Sequence, residues 1–480
     1  MKKSITLILI LLLTAVSFAQ DSKFIYATMD AADAVYFKTL HPDEMTILAS
    51  NDYQAAVFIS EEVTHSIHDN VTTHGPGYIF RSSKEKALEA LERVEPKKLL
   101  IDYTITEDAF VNECLDLVDG QKIEDVIRVL EDYGTRYHTR PQAEQAVLDL
   151  QTRWDNMISA AGRTDIHTRI FTHVNTPMPS VILTIDGANT PDEFVIIGGH
   201  IDSTASPSDD DAPGADDDAS GIATLTEMVR VLLAKNFVPN RTIEVMAFAA
   251  EEVGLVGSDE IAAKYAVDGV DVAAYVQFDM TAYKGSAEDI YITTDPYNST
   301  ELNDFLMELM DHYNGSGAHA FTYGTTICNY GCSDHASWAN YGYNAAFPFE
   351  AAFGEHNPNI HRAGDTFAFL NNTDHAVKFA KLGLEFLIEA AKPQILSVED
   401  FSELAMNIYV KNKTLNYQLK NTASNVKQLE IFNVAGQKVF SDALNNASGE
   451  VKLEHFSQGF YISKFVLENG HSLTQKFILN

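Results

Sequence analysis

Between about residues 120 and 392 the apolar positions follow two different rhythms. Ile123, Val126, Ile127 and Leu130 recur at helical spacing within residues 121–133 and predict an amphipathic helix. Pro141 opens a second helix, at a position where its missing N–H leaves no helix bond unmade. Largely apolar runs at 181–185, 194–199, 243–250 and 274–278 predict strands. Strands covered on both faces lack polar alternation, and these runs lack it too. Helical stretches such as 221–234 separate them. The alternation predicts an α/β fold: a mostly parallel central sheet with helices on both faces.

The pattern differs on either side. Residues 20–115 hold strand-like runs at 55–59 and 77–80 and a helix at 84–94, with Leu88, Leu91 and Val94 on one side. No catalytic motif occurs there, and the region reads as a small folded prosegment or an accessory domain. From about 396 short strands recur at 406–410, 415–419, 428–433, 437–440, 459–466 and 475–479. Turn residues at 434–436 and 468–470 separate some of them, so the region reads as a small all-β sandwich. At the start, Met1-Lys2-Lys3 precedes an apolar stretch from Ile5 to Val16, with the small residues Ser17 and Ala19 at a cleavage site. That is a secretory signal, too short for a membrane span, with no Cys to carry a lipid. No later stretch is apolar enough to cross a bilayer, and the mature chain is expected to be exported and soluble. The expected organisation is a signal peptide at 1–19, an N-terminal region at 20–115, a catalytic domain at 116–392 and a β-sandwich at 396–480.

Size and charge narrow the function. A chain of 480 residues is too long for one compact core. Its net charge of −34, with 68 acidic residues and no basic patch, excludes nucleic acid as a partner. Most of that acidity reads as a solvated extracellular surface. Export permits a disulfide. Cys328 and Cys332 are four apart with Gly331 between them, and their pairing would close a small ring. A metal role for this pair lacks a second Cys or His pair nearby. Cys114 is left as a buried free thiol.

Candidate chemistry sits where the predicted strands end. Glu251-Glu252 closes the run 243–250, and adjacent like charges serve no packing purpose. His200 and Asp279 close two other strands, the place where open α/β sheets put their sites. His200 and Asp202, two apart on an extended segment, share a side, so Asp202 could hold the His200 ring by its second nitrogen. Asp216-Asp217-Asp218 precedes a helix start, whose partial positive charge helps tolerate carboxylates. Taken singly, each piece has a plainer meaning: a surface His-x-Asp pair, a solvated acidic loop, or a calcium-type loop at 216–218. Their coincidence at successive strand ends points to a metallohydrolase, with one Glu holding a metal and the other acting as a base on bound water.

Six segments then carry a resemblance. Ile197-Gly198-Gly199-His200-Ile201-Asp202-Ser203, the run from Ala212 to Gly221, Ala249-Ala250-Glu251-Glu252-Val253-Gly254, Gln277-Phe278-Asp279-Met280, the run from Cys328 to His335, and Asn357-Pro358-Asn359-Ile360-His361 come in one order. Together they resemble the secreted bacterial leucyl aminopeptidases, dizinc enzymes typified by the Vibrio protein. The resemblance implies two Zn²⁺ ions per chain. Asp217 would bridge them, His200 and Asp279 would complete one site, and Glu252 and His361 the other. Glu251 would be the general base and acid, with Asp202 orienting His200 and a cis peptide following Asp217. Cys328 and Cys332 would form a disulfide, with Tyr330 facing the substrate. Met280, Phe347, Phe349, Phe353 and Ile360 fall where that family lines its side-chain pocket. Two departures bear on side-chain preference: His356 stands at an often aromatic position, and Arg362-Ala363-Gly364 follows the last ligand.

The implied activity is removal of a hydrophobic, Leu-like N-terminal residue from peptides or proteins by a monomeric exopeptidase. A zinc carboxypeptidase or aminoacylase would need a basic residue for the substrate carboxylate, and none is evident. A dead binding protein would have lost a ligand or Glu251, and none is lost. The stretches 429–440, 459–461 and 476–478 resemble the sorting domains of type IX secretion, without the usual opening Pro-Asn-Pro. That implies contact with the secretion machinery, and release or attachment at the outer cell surface. A carbohydrate- or surface-binding module is the alternative.

Overall fold

Six strands build the central sheet of this computed structural model, in the order Ala345–Ala346, Asp271–Gln277, Thr190–His200, Arg241–Phe248, Ser180–Ile185, Ile166–Phe171. The structure describes residues 24–70, 74–92, 103–328, 330–392, 406–411, 413–419, 425–433, 437–467 and 472–479. The expected signal peptide, Val94, and the turns at 434–436 and 468–470 lie outside them. The first four strands of the sheet run parallel, and the last two pair antiparallel at one edge. Each predicted strand of the central region is present within a few residues of its expected bounds.

Alternation along the strand Arg241–Phe248 explains why its sequence is largely apolar. Ile243, Val245 and Ala247 face one apolar cluster with the helices Gly120–Glu131, Pro141–Ala161, Ala219–Ala234 and Asp374–Ala391. Met246 and Phe248 face a second cluster, with Ile261 and Tyr265 of the helix Val256–Asp268 and with Trp338. Both faces are covered, so no polar alternation is needed. The helix Asp108–Leu115 packs Val111, Cys114 and Leu115 into the first cluster, so by packing it goes with the catalytic region. Cys114 is buried and free.

The chain divides into two compact units, Met1–Gln394 and Ile395–Asn480. Within the first, the N-terminal region forms a four-stranded antiparallel sheet in the order Met45–Ser50, Gln54–Ser60, Phe24–Asp30, Ile79–Arg81. Its own apolar cluster includes Ala27, Phe37, Val57, Ile59 and Val63. The Phe80 N–H donates to the Gly254 carbonyl at 2.9 Å, and Arg81 Nη1 meets Asp259 Oδ1 at 3.0 Å. The second unit is a sandwich of a three-stranded and a four-stranded antiparallel sheet. Leu415 and Val451 of one sheet share a core with Leu429, Ile431 and Phe465 of the other. The strand Ser448–Lys452 was not legible in the sequence, since only Val451 of its residues is buried.

Candidate metal centre

The strand Thr190–His200 delivers His200 to the carboxyl end of the sheet, buried at the strand terminus. Asp202 follows, and its carboxylate accepts the backbone N–H groups of Glu251 at 3.0 Å and Glu252 at 3.2 Å. His200 Nδ1 lies 3.2 Å from the Asp202 carbonyl and 3.5 Å from its carboxylate. Asp202 thus faces the ring of His200, as its spacing predicts, and also fixes the Glu251-Glu252 turn.

Asp217 stands just before the helix Ala219–Ala234, joined to Asp218 by a cis peptide. Its two oxygens look in two directions: Oδ1 lies 3.0 Å from His200 Nε2, and Oδ2 lies 3.1 Å from His361 Nε2. His361 Nε2 is also 3.2 Å from Glu252 Oε2, and His200 Nε2 is 3.4 Å from Asp279 Oδ1. The five expected ligands therefore converge. His200 Nε2 and both Asp217 oxygens are buried and make no hydrogen bond, although they lie so close. Short separations with directions wrong for a hydrogen bond mean that these atoms aim at shared points, as ligand atoms around a cation do. Three potential ligand atoms lie within 4.8 Å of one another in the set His200, Asp217 and Glu252, and again in the set His200, Asp218 and Asp279.

Electrostatics tell the same story. Burial disfavours a charged His200, yet Asp279, Asp202 and Asp217 outweigh it and push the ring well above the usual histidine value. Burial likewise works to raise Asp279, but the His74 and His200 rings hold it down at about 2. The cluster calls for positive charge. Glu251 differs: burial, reinforced by Glu252, Asp334 and Asp279 against the pull of His200, drives its carboxyl well above the usual range. Cations held by the cluster would pull it back towards the ionised form that a base needs.

Residues 180–386 match the model of peptidase family M28. Leucine aminopeptidase 1 of Sclerotinia sclerotiorum is 35% identical over 291 residues, which cover 58% of this chain and 73% of that protein. The chain belongs to peptidase family M28. It is a zinc-dependent aminopeptidase. The Leucine aminopeptidase 1 of Ajellomyces capsulatus (strain G186AR) is 33% identical over 59% of this chain and 74% of its own length. Among solved structures, the LapA aminopeptidase of Legionella pneumophila superposes with a TM-score of 0.67 at 28% identity, covering 79% of this chain and 100% of its own. LapB of the same organism gives 0.66 at 28% identity, covering 77% and 100%. Residues 410–480 match a secretion system C-terminal sorting domain, here of the type IX kind.

The donor set of this M28 chain suits zinc: imidazole nitrogen and carboxylate oxygen in a buried, preformed cluster. Beside it lies an apolar cluster of Met280, Phe347 and Phe349 with the disulfide Cys328–Cys332, flanked by Tyr330, Phe353 and Ile360. The five residues expected to line the pocket, and Tyr330 expected to face the substrate, thus lie in one group. His356 packs edge-on against Phe349 and Phe353 and is 8% exposed, so the ring joins this apolar group. Burial, aided by repulsion from His74 and His361, lowers its pKa to about 4, which leaves it neutral.

Several supporting residues escaped the sequence reading. Asp218 accepts from the N–H groups of His200 (3.1 Å), Gly221 (2.9 Å) and Met280 (3.1 Å), tying three ligand segments to one carboxylate. Asp365 accepts from the N–H groups of Asp216 and Asp217, at 3.1 and 3.0 Å. Ser333 Oγ donates to Asp279 Oδ2 at 2.5 Å. Arg136, fully buried, donates to the carbonyls of Ile201, Pro213 and Gly214 and so holds the two ligand loops together. Asp218 stood out only as part of an acidic run. The others lie far along the chain from the atoms they hold, and no local signal marks them. Ala250, Met280 and His361 all have positive φ, at 57°, 59° and 54°, so the backbone is strained at three turns that carry expected ligands.

Proposed function

We propose that this chain is an exported dizinc aminopeptidase that removes a hydrophobic, Leu-like N-terminal residue from peptides. The observation that carries the reading is the two-sided Asp217, whose oxygens face His200 and His361 separately. Asp217 would bridge two metals, His200 and Asp279 would complete one site, and Glu252 and His361 the other. Bound zinc lowers the pKa of the water it holds and polarises a carbonyl oxygen. Glu251 would take a proton from the attacking water and return it to the departing amine. Its Oε1, buried without a hydrogen bond, is free for that work. Met280, Phe347, Phe349, Phe353 and Ile360 receive the first side chain, with Tyr330 at the rim. The anionic surroundings of Glu251 favour a free, positively charged N-terminus. Residues 396–480 direct export, after which the enzyme is released or held at the outer surface. An inhibitory or accessory role falls to the N-terminal region.

The test is Glu251→Gln, which keeps shape and removes the base. Zinc content should stay at two per chain, and turnover of leucyl-p-nitroanilide should fall by about 10²–10⁴-fold. Near-wild-type turnover in that variant would sink the assignment of Glu251. One tightly held zinc in both proteins would sink the dizinc reading.

A further inference from the structure

The metal cluster contains an atom that the peptidase reading does not use. His74 belongs to the N-terminal region, on the segment that leads into the strand Ile79–Arg81. Its ring is buried, 205 residues from Asp279 in the chain, yet its Nε2 lies 2.9 Å from Asp279 Oδ1. His74 Nδ1 lies 2.8 Å from the Cys332 carbonyl. A carbonyl only accepts, so Nδ1 carries a proton, and Nε2 is left to Asp279: protonated it donates to that carboxylate, deprotonated it offers its lone pair to an ion held there. That is the usual dress of a metal-bound histidine: one nitrogen donates to a backbone carbonyl and the other faces the ion. Without an ion the pair is held as a hydrogen bond from the charged ring to the carboxylate, and an ion bound beside Asp279 would take the place of that proton. The potential ligand atoms of His74, Asp217 and Asp279 all lie within 4.8 Å of one another.

The residues around His74 belong to the catalytic machinery. The Tyr330 hydroxyl donates to the His74 carbonyl. The ring centroids of Phe349 and Phe347 lie 5.2 and 5.8 Å from the His74 ring, so the imidazole packs into the apolar group beside the metal cluster. Gly75 follows with φ of +72°, and a Cβ there would fall 2.4 Å from the Cys332 carbonyl oxygen and 3.4 Å from Glu251 Oε1. Only glycine brings the backbone this close to the base.

We propose that His74 is an inhibitory metal ligand, and that the loop at 74–77 occupies the substrate's place until the N-terminal region is withdrawn. A catalytic zinc keeps one position open, whereas four protein ligands make a closed, structural type of site. The group of His74, Asp217 and Asp279 shares Asp217 and Asp279 with the expected site of His200, so a metal there would take His74 as a further protein ligand. The ring also fills the apolar group, so one residue blocks both the metal and the side-chain site. This rests on the metallopeptidase reading above and adds the state of the uncleaved chain to it.

The experiment uses the full chain loaded with Co²⁺, whose visible absorption reports its ligands. It compares wild type with His74→Ala and with Gly75→Ala, which keeps the imidazole but crowds the loop out of the cleft. Far-ultraviolet circular dichroism checks that each variant folds. A competitor's apparent affinity falls by the fraction of time the site is blocked, so a plug closed more than about nine-tenths of the time weakens it more than about tenfold. Leucine hydroxamate, followed by calorimetry, should therefore bind both variants at least tenfold more tightly than wild type. The cobalt bands of His74→Ala should shift from those of wild type. Cobalt spectra and hydroxamate affinities unchanged in the folded variant, or in Gly75→Ala if His74→Ala does not fold, would overturn the inference and leave the metallopeptidase reading standing. Failure of all three proteins to take up cobalt would overturn both.

Discussion

Two buried glutamates show how little residue type alone decides. Glu251 sits among ligands and Glu385 does not, but burial drives both to hold a proton. Glu385 lies on the helix Asp374–Ala391, fully buried, with Asn314 Nδ2 donating to its Oε1 at 3.0 Å. Burial is the main cause of its rise to about 8, and Asn314 and Lys381 only temper it. The sign follows from linkage. In the unfolded chain this carboxyl titrates near ~4.3. Between there and about 8 the folded state binds the extra proton, so stability falls as pH rises through that window. Glu385→Gln keeps an acceptor for Asn314 and removes the titration. Its unfolding free energy relative to wild type, from chemical denaturation, should therefore climb between pH 5 and pH 8.5 by an amount on the order of a few kcal/mol. A constant difference across that range would show that Glu385 is ionised in the fold. At this scale the sequence exposed the residues with chemistry at strand ends, His200, Glu251, Glu252 and Asp279. It did not expose Asp365, Arg136 or His74, because a hydrogen-bond partner or a plug is defined only once distant segments meet.

At the level of elements, the site is a junction of a strand end and a helix start. Gly199 precedes His200 on the strand, and Gly221 lies in the first turn of the helix Ala219–Ala234. Between them lies the Asp218 carboxylate. A Cβ at Gly221 would come 2.3 Å from Asp218 Oδ1 and 2.6 Å from the Phe278 carbonyl oxygen, and one at Gly199 would meet the same two groups. The glycines let the helix approach closely enough for one carboxylate to cap it and hold the His200 and Met280 backbones. Gly221→Ala should accordingly cost about 1–3 kcal/mol through overpacking, against the small gain alanine brings to an ordinary helix position. Because Asp218 would be displaced, zinc should be lost at lower chelator concentrations as well. Chemical denaturation and a chelator titration read the two effects, and a variant as stable as wild type with unchanged zinc retention would refute this account of the junction. The strands of the core were legible from their apolar runs. The edge strand Ile166–Phe171 was not, since only Ile166 of its residues is buried. Nor was Ala345–Ala346, whose two residues are too short for a pattern.

On the scale of the whole molecule, peptidase and sorting signal divide between two units with separate cores. The apolar cluster of the C-terminal sandwich is drawn from residues at or beyond Met406, and the clusters around the metal site from residues before Lys392. A core that shares no residue with its neighbour can be lost without opening a cavity in it, so the large penalties of core truncation do not apply. The sequence marked this division by its change from long α/β periods to short strands, and the sorting-domain match at 410–480 falls within the second unit. Ending the chain at Gln394 should therefore leave the peptidase with its zinc, with turnover of leucyl-p-nitroanilide within about twofold and with its melting transition in place, as expected for separate domains. Calorimetry of the full chain should show one further transition, and that one should vanish on truncation. In the producing cell the shortened chain should stay behind the outer membrane, measured as activity in fractionated cells against the medium. A folded, zinc-loaded truncate without activity would mean that the sandwich takes part in catalysis. A truncate still delivered outside the cell would mean that residues 395–480 are not its export signal.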